Sequence, residues 1–135
     1  MRKITHLVVH CTATPQTTTI QSIQNHWRNV LGWRSSGYHV VIEASGKITR
    51  LAPDSAICNG VAGHNSTSLH VSYIGGVNGS KAVDNRTEAQ KAALIQVLTE
   101  WKRLYPNAII QGHRDFKGVA KSCPSFNAKD EYKSL

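Results

Sequence analysis

Hydrophobic positions along this chain follow two rhythms, and the switches between them mark the elements. Positions 4–10 form an apolar run centred on Leu7, Val8 and Val9, which predicts a buried strand. The stretch 11–15 leaves it as a loop. Ile20, Ile23, Trp27, Val30 and Leu31 then recur at three- and four-residue steps, so the spacing predicts a helix with one apolar face. A threonine within 17–19 supplies its N-cap, and Gly32 ends it. Trp33 follows in a loop that runs to Gly37. Positions 38–42 read as a second strand, Ser45-Gly46 as a tight turn, and 47–51 as the returning hairpin partner.

The second half repeats the logic. Residues 53–67 are rich in Gly, Asn and Ser and form a loop long enough to suggest a functional role. From 68 to 74 the period is two, with Leu69, Val71 and Tyr73 on one side and Ser68, His70 and Ser72 on the other. That pattern predicts a half-buried strand. Gly75-Gly76 closes it, and 77–86 reads as a polar loop. Thr87 and Gln90 fit a capping box. Ala93, Leu94, Val97, Leu98, Trp101, Leu104 and Tyr105 then mark one side of a helix of about five turns. Pro106 stops the helix, Ala108-Ile109-Ile110 predicts a short strand, and the polar tail after Phe126 is expected to pack as an irregular cap.

Strands and helices alternate, with one hairpin. The expected fold is α/β: a single domain over residues 1–135 with a central mixed β-sheet flanked by helices. Apolar residues are 40% of the chain, as in a globular protein. No run approaches the roughly eighteen apolar residues of a membrane helix, so membrane insertion is not expected. The N-terminus is basic, but His6 interrupts its apolar run and no signal cleavage site follows. It reads as the first strand of a protein made in the cytoplasm without a signal peptide. Sixteen Lys and Arg against eight Asp and Glu give a net charge of +8, which favours an anionic partner. These charges are scattered rather than blocked, which argues against nucleic acid. Three cysteines make an odd count, and no C-x-x-C occurs, so neither a full disulfide framework nor a zinc finger is expected.

The candidate chemistry gathers between Gln111 and Phe126. His113 follows the short apolar run, and Lys121 and Cys123 lie on a loop stiffened by Pro124. Imidazole and thiolate are good zinc ligands, and a lysine two residues from the cysteine adds positive charge beside it. His10, at the end of the first strand, is the best third ligand. Taken alone, it is an ordinary structural histidine. Three ligands from separate segments at strand ends match a catalytic zinc site, which keeps its fourth position open. Cys11, adjacent to His10, points to the opposite face of an extended strand and reads as structural. Trp33 suits a groove or the core equally, Tyr38 a cleft or packing, and His64 with Asn65 a ligand contact or a surface turn.

Several segments together carry a family likeness. They are Val9-His10-Cys11-Thr12-Ala13-Thr14, Gly37-Tyr38-His39-Val40-Val41-Ile42, Gly63-His64-Asn65 with Ser68, Tyr73-Ile74-Gly75-Gly76, and Lys121-Ser122-Cys123-Pro124-Ser125-Phe126. In this order they resemble the zinc-dependent N-acetylmuramoyl-L-alanine amidases of the bacteriophage T7 lysozyme type, whose fold is shared with peptidoglycan recognition proteins. The resemblance spans nearly the whole chain. It implies one Zn2+ held by His10, His113 and Cys123, with Tyr38 and Lys121 assisting catalysis. It also implies peptidoglycan as substrate, through a muramyl-peptide held by His64 and Asn65, with Trp33 as a further candidate contact because an aromatic there could line a groove. Two departures stand out. The family often has a histidine ahead of the Gly-x-Asn motif, where this chain has Gly60-Val61-Ala62-Gly63, and often a glycine where this chain has His70.

The chemistry is coherent on its own terms. Zinc on two neutral imidazoles and a thiolate keeps a net positive charge, acidifies water and polarises an amide carbonyl. Lys121 supplies a donor for the developing oxyanion, and Tyr38 orients water or passes a proton. No H-E-x-x-H supplies a glutamate base. The expected activity is cleavage of the amide between N-acetylmuramic acid and L-alanine by a monomer that reaches the wall after release or export. The alternatives are a non-catalytic wall-binding module of the same fold, a cysteine hydrolase built on Cys123 or Cys11 with His113, and a nucleic-acid binder. Such binding modules typically lack the zinc cysteine, so Cys123 argues against the first.

Overall fold

The first strand, β1, runs His6–Cys11 and sits inside a five-stranded sheet. A computed structural model describes residues 2–135. The other strands of this sheet are β2 (Val40–Ile42), β3 (Ile48–Arg50), β4 (Ser68–Tyr73) and, after a separate two-stranded hairpin β5 (Val77–Asn78) and β6 (Lys81–Ala82), β7 (Ile109–Gly112). The order is β3-β2-β4-β1-β7, and only β3 is antiparallel to its neighbour. This is the expected mixed sheet flanked by helices. The hairpin β5–β6 lies where a plain polar loop was expected.

Alternation along β1 assigns its two faces. Leu7, Val9 and Cys11 join the core under the long helix α2, Glu88–Leu104. Val8 packs on the other side with Val61 and Phe116. The helix begins as its sequence predicts. Thr87 accepts from the Gln90 amide, and the Gln90 side chain returns to Thr87 N, each at 3.0 Å. Buried Gln90 then donates to the carbonyls of Ile42 and Ile74, tying the helix start to strand ends. Ala93, Leu94, Val97, Leu98 and Trp101 face the sheet, whereas Leu104 is exposed beyond the last sheet contact.

Three expectations are corrected. Strand β4 is buried on both faces, not half-buried, because the chain between β3 and β4 covers its polar side. The first helix, α1 (Ile20–Asn25), starts at Thr19 as N-cap and passes into a wider π turn at His26–Val30. Leu31 N reaches His26 O. That extra residue per turn rotates Val30 and Leu31 off the buried stripe, leaving them 67% and 46% exposed while Ile23 and Trp27 stay buried. The tail is not irregular. It forms α3, Ala128–Glu131, with Ala128 and Tyr132 in the core. Arg86 anchors it by pairing with Asp84 and Glu131 and lying 3.4 Å over the Phe126 ring.

Candidate metal centre and cleft

Strands β1, β2, β4 and β7 are parallel, so their carboxyl ends share one edge of the sheet. In open α/β sheets that edge is where ligands bind. Val9 pairs with Gly112, so His10 and His113 are each the residue that follows a paired position. Their ring centroids lie 4.9 Å apart. The loop carrying Cys123 is fastened to the turn after β7 and to the end of β4. Arg114 N donates to Cys123 O at 2.9 Å, and Tyr73 OH donates to Pro124 O at 2.7 Å. Gly112 leaves the room this requires, since a Cβ there would stand 2.6 Å from Pro124 Cδ.

One ligand atom from each of His10, His113 and Cys123 falls within 4.8 Å of the others. Two imidazoles and a thiol at that spacing fit a zinc ion, and His113 also lines the neighbouring cleft. His10 is buried, and its Nδ1 faces Cys123 Sγ at 3.8 Å. Both histidines are held neutral, as metal ligands must be. Burial drives the His10 imidazole well below its usual value, with His70, His113 and Lys121 adding to it. Burial and Lys121 bring His113 to about 4. The Cys123 thiol contacts Cys11, and that contact with burial holds it above its usual value. The Cys11 amide, donating to Sγ at 3.2 Å, and the charge of Lys121 oppose this. The strand alternation does send the Cys11 side chain into the α2 core, yet at the strand end its sulfur still meets the Cys123 loop, within 3.9 Å of Ser125 Oγ.

Tyr38 packs its ring 4.9 Å from His10, and its hydroxyl donates to Cys11 O over a long 3.4 Å. Burial, then the nearby thiols, raise its phenol above the usual range, so it stays protonated. Gly37 beside it lies against Trp27, where a Cβ would meet the indole at 2.7 Å. Lys121 is exposed on the rim. Beside them opens a cleft of about 560 Å³, whose lining includes Trp27, Trp33, Asn59, His113, Lys117 and Lys121. Trp33 is brought there by the π turn, its amide donating to Trp27 O at 2.8 Å and its ring stacking on Trp27.

His64 and Asn65 part company. His64 lines the cleft, exposed, its ring 4.5 Å from Phe116. Asn65 turns beneath it, where Oδ1 accepts from Val61 N at 2.8 Å and stands 3.0 Å from His70 Nε2. Two fully buried histidines went unassigned in the sequence. His39 Nδ1 accepts from His70 N, and its Nε2 donates to Ala56 O, pinning the loop that follows β3. His70 is fully buried, with its Nδ1 2.9 Å from His10 Nε2. Burial first, then nearby positive groups, bring it to about 3. Their sequence signal was a polar side chain inside a strand, joined at His70 by the departure from the glycine often found there.

Comparison with known proteins gives a consistent picture. The family described as N-acetylmuramoyl-L-alanine amidase matches residues 1–126. An endolysin of Klebsiella phage KP32 is 33% identical over 130 residues, 95% of this chain and 85% of that one. An endolysin of Enterobacteria phage K11 is 35% identical over 121 residues, covering 88% of this chain and 79% of its own. Among solved structures, the N-acetylmuramoyl-L-alanine amidase LysC from Clostridium intestinale URNW superposes with a TM-score of 0.79 at 25% identity. That match covers 96% of this chain and 82% of LysC.

Proposed function

The chain belongs to the N-acetylmuramoyl-L-alanine amidase family, and from that premise we propose that it cleaves the amide between N-acetylmuramic acid and L-alanine with one zinc ion held by His10, His113 and Cys123. The observation that carries the metal assignment is the convergence of their three ligand atoms within 4.8 Å beside the cleft. When bound, zinc acidifies water and draws electron density from an amide carbonyl.

The chain's own residues supply the rest. Amide hydrolysis develops negative charge on the carbonyl oxygen, and Lys121 on the rim presents an ammonium to it. The departing amine needs a proton. Tyr38 Oη keeps its proton because burial disfavours the phenolate, and its 3.4 Å bond to Cys11 O is long enough to exchange for one to substrate. Trp33 and His64 form the walls that hold the muramyl-peptide, the indole against the apolar faces of the sugar or stem and the imidazole toward its polar groups. Asn65 serves them from below by tying Val61 to the loop.

The substrate and the surface agree in sign, since an anionic wall polymer suits a net charge of +8. No helix among the described residues is long and apolar enough to cross a membrane. We read the protein as an endolysin-like monomer, with all three ligands on one chain, that meets the wall after release. Digestion of purified peptidoglycan with and without chelator tests this. Free L-alanine amino ends with intact glycan strands, abolished by chelator and restored by zinc, are the expected products. Cut glycan, or activity indifferent to chelation, overturns it.

A further inference from the structure

We propose that His70 is the positioning residue for the zinc ligand His10, seated in space that Gly60 leaves open and oriented by Asn65. The inference rests on the zinc reading above and adds a residue to it. The hydrogen bonds close in only one sense. Val61 N–H donates to Asn65 Oδ1 at 2.8 Å, which identifies that atom as the carbonyl oxygen, an acceptor. His70 Nε2, 3.0 Å from the same oxygen, must therefore carry a proton and donate it. A neutral imidazole with its proton on Nε2 has a lone pair on Nδ1. That lone pair faces His10 Nε2 at 2.9 Å, so His10 must donate from Nε2. The remaining lone pair of His10 is then on Nδ1, the atom turned toward Cys123. One amide of the loop thus sets, through two side chains, which nitrogen of His10 meets the metal. Metal-bound histidines commonly take such a partner, and its loss typically weakens metal binding by about 10- to 100-fold.

Gly60 is the reciprocal half of this arrangement. A Cβ at position 60 would land on the His70 ring, at Nδ1, Cε1 and Cγ. The imidazole at 70 and the missing side chain at 60 are one choice made at two sites. Strand β4 places His70 in register with Val8, two residues before His10 on the same face of β1, so the contact is fixed by backbone pairing.

The test measures zinc affinity of the whole chain by competition with a chromophoric chelator, beside thermal stability without metal. His70→Leu should weaken zinc by about 10- to 100-fold. His70→Asn should recover most of that loss, because its Oδ1 can accept where imidazole Nδ1 did. Gly60→Ala, which keeps the imidazole but displaces it, should weaken zinc as His70→Leu does. Long-range proton–nitrogen spectra of the zinc-loaded parent should place the His10 proton on Nε2, and this readout decides the matter should a variant fail to fold. Zinc affinity of folded His70→Leu within threefold of the parent overturns the proposal, as does a His10 proton on Nδ1. A parent that binds no zinc overturns the metal reading itself, and with it this one. A zinc-loaded parent with an indifferent His70→Leu overturns only the role of His70.

Discussion

The two faces of the central sheet are built from the same strands and share almost nothing else. Under α2, Leu7, Val9, Leu69 and Val71 meet Leu94, Leu98 and Trp101 with no titratable pair among them. On the opposite face β1 and β4 present His10, Ser68, His70 and Ser72 beside apolar Val8, equally buried, with His10 bonded to His70 and Ser68 to the loop above. A dry face is held by area removed from water and tolerates similar shapes. A polar buried face is held by complete pairing, so one deletion leaves a group with no partner. The first face should therefore set stability and the second should set function, and the division can be tested.

The sharpest break is at the ligands. Cys123→Ser or His113→Ala should fold, yet lose essentially all bound zinc and all wall hydrolysis, read by elemental analysis beside digestion. Full zinc in Cys123→Ser would show that the ligand has been misassigned. Next in size, Lys121→Ala should keep its zinc and lose roughly 10²–10³ in rate, the usual cost of one oxyanion donor. Tyr38→Phe should likewise stay loaded and lose roughly 10²-fold, as for a proton donor. Turnover near the parent rate in either variant ends that residue's catalytic role. On the dry face, Leu98→Ala should cost about 2–5 kcal/mol in denaturant unfolding. Activity per folded molecule should not change, and a drop would mean that the two faces are not separable. The smallest effect belongs to the cleft wall. His64→Ala should raise KM several-fold with kcat kept, the signature of lost uniform binding. An unchanged KM removes His64 from the substrate contacts.

The dry face was legible in the sequence and the polar face only in part, for one reason. Helix α2 announces itself through neighbours three and four residues apart, and its capping box lies within four. Ser68, His70 and Ser72 have the same alternation whether they face water or a lid, and the lid comes from another part of the chain. Likewise, steps of three and four residues from Ile20 to Leu31 do not distinguish an α turn from a π turn, so Val30 and Leu31 were placed on the wrong side. Within the site, the ligand types and their strand-end positions were readable as local facts. That Asn65 lies beneath the cleft was not, since its partners Val61 and His70 are chosen by the fold. Gly60 was visible only as a missing side chain, and its meaning required the imidazole that fills the gap.

The pairing of β1 directly with β7 has a consequence for how this molecule comes into being. His10, on β1, and His113, directly after β7, stand side by side although most of the chain runs between them. Contacts so remote in sequence form late and slowly, because the loop must close before any bond rewards it. Neither half of the chain carries all three candidate ligands. A metal held by His10, His113 and Cys123 would act as a clasp on that seam. Its binding energy becomes folding energy. Stripping the ion should therefore loosen the β1–β7 join first, where amide hydrogen exchange would report it, while the β2–β3 hairpin stays closed.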